Sequence, residues 1–128
     1  MDVGVARHIG TYSDAVATPA GQRWLHTSGT PGLREDGSVP DDVAEQSKLA
    51  WDSVLAALAA AGMGVGDIVK VTSWLVDAHD IPAYTAVRGQ VLGDVRPASM
   101  LAIVPALVRP EIRVEVEVIG ACPAERPV

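Results

Sequence analysis

A chain of 128 residues carrying 10 Lys+Arg against 16 Asp+Glu, formal charge -6, is one domain's worth and short for two. Hydrophobic residues at 48% and charged ones at 20% exclude a disordered chain; with no Phe, three Trp and two Tyr, the core must be Val, Leu, Ile and Ala. The cations are scattered and accompany no nucleic-acid motif, so no nucleic-acid partner is expected.

Cys122 stands alone, which rules out an intrachain disulfide. No basic start leads into an apolar run, and no segment reaches a membrane span; no membrane partner and a cytoplasmic location are the expectations.

In chain order, residues 12–16 and 23–29 are short runs separated by turn chemistry at Pro19 and Gly21, and predict a hairpin. Residues 30–42, rich in Pro and Gly, predict a loop. From Asp42 to Ala61 apolar residues recur at three- and four-residue steps, Asp42 with Glu45 resembles a capping box, and Gly62 sits where a left-handed cap is wanted. Residues 68–76 alternate Lys70, Thr72 and Trp74 against Val69, Val71, Ser73 and Leu75, a strand. Asp80 is placed to cap a second helix with Pro82 in its first turn and Gly93 at its end. Residues 98–107 and 111–119 complete the order β, β, α, β, α, β, β in a single domain over residues 1–128. An α+β fold follows, a mixed sheet with two helices on one face. Its second face, carrying residues such as Leu25 or Trp74, is expected to meet a partner subunit.

The chemistry-bearing candidates are few. His8, His26 and His79 have no ligand spacing, so no metal site is expected. The run Gly62–Gly66 lacks the Lys-Ser/Thr ending of a phosphate loop and precedes a strand, and Ser28 lies in no nucleophile elbow. The stretch "EIRVEVEVI" from Glu111 to Ile119 puts Arg113, Glu115 and Glu117 on one strand face and Val114, Val116 and Val118 on the other. Spacing alone favours a solvated face; at a subunit boundary such a carboxylate could hold a water and act as a general base.

Taken together, "IGTYSDAV", "LHTSGTPG", "GDIVKVTSWLVD", "RPASM" and "IRVEVEVIGA" resemble the Rid, or YjgF-type, superfamily from Ile9 to about Ala121. The resemblance implies a chorismate-mutase-like fold, a homotrimer whose sheets form a central barrel, and clefts between subunits where small imines or enamines are hydrolysed without a cofactor. It implies Glu115 as the residue orienting the water, and Tyr12, Ser28 and Gly29 as contacts to a small-molecule ligand, with Ser99 added as a further candidate contact. The chain departs from the pattern at Ser99, where deaminase members carry an arginine that clamps the substrate carboxylate through a two-pronged charged bond. Arg96 and Arg109 are the arginines nearest to it in sequence, and each reads as a surface charge in preference to a substitute ligand. Two functions stay open: a deaminase-type enzyme with a non-standard substrate, and a ligand-binding or chaperone-like trimer without chemistry. The charge of -6 argues against a third, the ribonuclease activity attached to some relatives.

Overall fold

The computed structural model describes residues 1–128 and contains α1 (Ala6–Ile9), β1 (Gln22–His26), β2 (Thr30–Pro31), α2 (Val43–Ala60), β3 (Ile68–Leu75), α3 (Ile81–Leu92), β4 (Ala98–Ile103) and β5 (Val114–Pro123). They form one mixed sheet ordered β1-β5-β3-β4, with β2 also on β5; β3 and β4 run parallel, and the β5 pairings are antiparallel. The long helices α2 and α3 cover one face. Trp51, Val54 and Leu58 of α2 and Tyr84 of α3 pack there against Val71 and Leu75 of β3 and Val114, Val116 and Val118 of β5. Each such side chain removed from water contributes roughly 1.5–3 kcal/mol before the entropy of ordering it is subtracted. No helix is long and apolar enough to cross a membrane.

Local chemistry explains the helix ends. Asp42 accepts from the Glu45 N–H at 3.3 Å to start α2. Its end is a Schellman turn: Met63 N–H donates to Leu58 O, Gly62 N–H to Ala59 O, and Gly62 takes φ +70°, which a β-carbon would strain.

The structure corrects several expectations, among them the loop from residue 30, whose Thr30 and Pro31 form β2. Residues 12–16 form no hairpin strand; Ser13 alone bridges Ala98, and the Asp14 carboxylate is spent accepting from the backbone N–H groups of Val3, Val5 and Ala6 at the start of α1. β4 stops at Ile103, because Pro105 follows and has no N–H to continue the ladder. Leu25 packs toward the core, and the β1 residues on the open face are Trp24 and His26. A bulge between Ile68 and Lys70 puts Ile68, in place of Val69, among the buried residues of β3.

Asp80 holds the N-cap position of α3, yet its side chain makes no cap bond. Both its oxygens are taken by Arg113, at 2.6 and 3.1 Å, and Asp80 is only 6% exposed. Arg113 also donates to Asp41 O, while its N–H donates to the fully buried Gln46, whose amide bonds Pro40 O and Glu111 O in turn. This junction ties the start of β5 to both long helices. A further steric contact supports it: a β-carbon on Gly32 would stand 2.0 Å from Gln46 O, so α2 seats directly on the loop after β2.

Arg113→Leu strands a buried carboxylate and is expected to cost about 3 kcal/mol by urea unfolding, with part recovered by adding Asp80→Asn. Equal losses in the single and double variants would show that the pair is not the source.

Candidate functional site

β5 places Glu115 by burying its neighbours. Val114 and Val116 have no exposure under the helices, so Glu115 projects from the opposite, uncovered face, across from Trp74 of β3 and Pro31 of β2. The edge beside it is irregular. His26 pairs with Ile119 and Thr30 with Val116, so residues 27, 28 and 29 stand against only 117 and 118, the extra residue of a bulge. Thr27 keeps the ladder, its N–H donating to Val118 O and its Oγ1 accepting from Val118 N–H. Ser28 and Gly29 leave it: both are exposed and neither backbone N–H donates a hydrogen bond. Gly29 lies so close that a β-carbon on it would sit 2.8 Å from Glu115 Oε1.

Burial raises the Glu115 pKa above the ordinary carboxylate value, and the Glu117 charge two residues on adds to the rise. No cation offsets this, because the Arg113 guanidinium is committed to Asp80. The result is a half-buried carboxylate of heightened proton affinity next to two uncommitted N–H donors, a combination able to hold a water and to face a developing negative charge. Glu117 instead borders a hollow of about 160 Å³ with His26, Thr27, Lys70 and Thr72.

Tyr12 and Ser99 lie elsewhere. They line a groove of about 330 Å³ bounded by α3, β4 and the segment after α1, with Ile9, Ile81 and Leu101 as apolar walls. Ser99 is in register with buried Val71, which puts it toward the helical side of the sheet, while Glu115 faces away from it. With β3 between their strands, they are also separated by two strand spacings, roughly 9–10 Å. Within one chain, the five expected contacts thus fall into two groups, Ser28, Gly29 and Glu115 on one side and Tyr12 and Ser99 on the other.

Neither substitute arginine near Ser99 in sequence reaches that groove's lining. Arg96 donates to Gly93 O at 2.7 Å, and Arg109 is paired with Glu111. The groove does hold a cation that position in sequence did not suggest, Arg88 of α3. The available signal was its spacing: four residues after buried Tyr84, it lies one helical turn on along the same side. No three His, Cys, Asp or Glu side chains are grouped so as to hold a metal ion.

Comparison with known proteins adds a family. Residues 5–122 match the model of the family described as Endoribonuclease L-PSP. TdcF of Escherichia coli is 37% identical over 67 residues, 52% of each chain, so the alignment spans about half the length of that curated relative. A 2-iminobutanoate/2-iminopropanoate deaminase of the same organism is 37% identical over 78 residues, 61% of this chain and 59% of that one. A RutC family protein of Pyrococcus horikoshii is 30% identical over 88% of this chain and 87% of its own. Among solved structures, E. coli TdcF with bound serine superposes with TM-score 0.74 at 30% identity, covering 89% of this chain and 90% of that one.

The charged form of Glu115 opposes folding, because its pKa is raised; the cost is complete above the raised folded-state value and absent below the ordinary one, where both states are protonated. Glu115→Gln is therefore expected to raise the melting temperature at pH 7, with the gain vanishing in melts near pH 3. A loss at pH 7 would contradict this.

Proposed function

The chain belongs to the Endoribonuclease L-PSP family, the Rid or YjgF-type superfamily, and on that premise we propose that it is a Rid-type deaminase. It adds water to the carbon of a small imine or enamine at a cleft between subunits, and releases ammonia without a cofactor. The observation that carries this reading is the raised-pKa carboxylate of Glu115 beside the free N–H groups of Ser28 and Gly29. Glu115 takes a proton from a positioned water as its oxygen attacks the C=N carbon. Return of that proton to the nitrogen gives a carbinolamine, which loses ammonia as a second proton moves from the new hydroxyl to the nitrogen by way of Glu115, leaving a carbonyl compound. The deaminase named among the relatives fits this chemistry.

The placement of the two groups of residues supports a shared cleft. Tyr12 and Ser99 of one subunit would face Ser28, Gly29 and Glu115 of the next in a homotrimer. Trp24, 49% exposed, and Met100, 56% exposed, sit on the face that no helix covers, and such apolar surface favours a second copy. An RNA reading draws little from this chain, six of whose ten cations are bound up locally in ion pairs such as Arg34–Glu45, Lys48–Asp52 and Arg126–Asp67.

Light scattering should give three times the chain mass, and Trp24→Lys should lower it; a monomeric native chain would rule out the shared cleft. Ammonia release from 2-iminopropanoate should fall about 10²- to 10⁴-fold in Glu115→Gln. Gly29→Ala should lower kcat with little change in melting temperature, because the group it displaces is the end of a flexible side chain. Saturable ligand binding with no product from a panel of imines would replace the enzyme by a ligand-binding trimer.

A further inference from the structure

Arg88 is the one arginine of this chain without a carboxylate or carbonyl partner. Arg7, Arg34, Arg109, Arg113 and Arg126 are in ion pairs, and Arg23 and Arg96 donate to main-chain oxygens. Arg88 is half-buried, and its guanidinium lies over the ring of Tyr84, with Cζ 5.7 Å from the centroid. An aromatic face steadies a guanidinium but leaves the donors along its edge free. Those donors belong to a groove that contains no Asp or Glu, whose other side-chain donors are the hydroxyls of Tyr12 and Ser99, and whose walls include Ile9, Ile81 and Leu101. A half-buried cation with no counter-ion, two hydroxyls and apolar walls together suit a small carboxylate with a short apolar tail.

We propose that Arg88, from α3, supplies the carboxylate-binding charge of this groove in the place of an arginine at position 99, so that the chain takes small 2-oxo or 2-imino carboxylates. Ser99 then has a positive role: its short side chain leaves room for an anion that reaches Arg88. The substrate class rests on the deaminase reading above, whereas the anion site stands on the groove's own chemistry and is read by binding alone.

The experiment is calorimetric titration with pyruvate and with pyruvamide, which has nearly the same shape without the charge. The native chain should bind pyruvate at least about tenfold tighter, the scale of a charged hydrogen-bonded contact. Arg88→Gln should level the two affinities, Arg88→Lys should keep part of the preference, and adding Ser99→Arg to Arg88→Gln should restore it. Circular dichroism melts of each variant accompany the titrations. Equal affinities in the native chain, or a preference unchanged in a folded Arg88→Gln, would overturn the proposal. A preference that depends on Arg88 without any ammonia release from 2-iminopropanoate would uphold the anion site and reject the deaminase. Turnover that is insensitive to Arg88 would do the reverse.

Discussion

The pairing of β5 on both of its edges is the constraint on which the rest of the molecule depends. β1 and β2 bond one edge and β3 the other, so the strand cannot slip by a residue without breaking every ladder at once. Such a slip would also turn Val114, Val116 and Val118 into water, at roughly 1.5–3 kcal/mol each, and drive two carboxylates under the helices. The position of Glu115 is therefore a by-product of the core: the valines fix the register, and the register aims the carboxylate.

Much of this was legible because period and punctuation agreed. The steps of residues 43–60, the cap at Asp42 and the left-handed Gly62 mark α2 at both ends, and the β-branched run before Leu75 marks β3. The opening hairpin failed for a physical reason. Residues 12–16 are a short run before the turn chemistry at Pro19 and Gly21, but their polar groups are used up by the amino-terminal segment, and only Ser13 reaches the sheet edge. Asp80 misled in a similar way. An Asp before a Pro-containing first turn reads as a cap, yet a guanidinium outbids a backbone N–H for a carboxylate when it is within reach.

The candidate site was legible in its residues and not in its arrangement. Glu115 and Glu117 are equivalent by alternation; what separates them is the bulge at Ser28 and Gly29, a feature of the neighbouring strand. Tyr12 and Ser99 share a groove only because the segment after α1 folds back over β4. Arg88 and Gln46 went unnoticed for a common reason: a long polar side chain on a helix reads as solvated. In this chain one is half-buried beside an aromatic ring and the other is fully enclosed among main-chain carbonyls.

The contact of Gly32 with α2 bears on how the molecule moves. Pro31, just before it, pairs with Glu115; Gln46, the residue it rests on, receives the N–H of Arg113; and Arg113 leads back along β5 to Glu115. These links close a ring from loop to helix to strand and back. Residues 30 to 32, tied in this way, have no hinge of their own, so opening them requires separating α2 from the sheet. They should then open with the core, as part of one cooperative unit instead of a mobile flap. A ligand entering here meets a wall that is already set, and the motions that admit it must come from elsewhere.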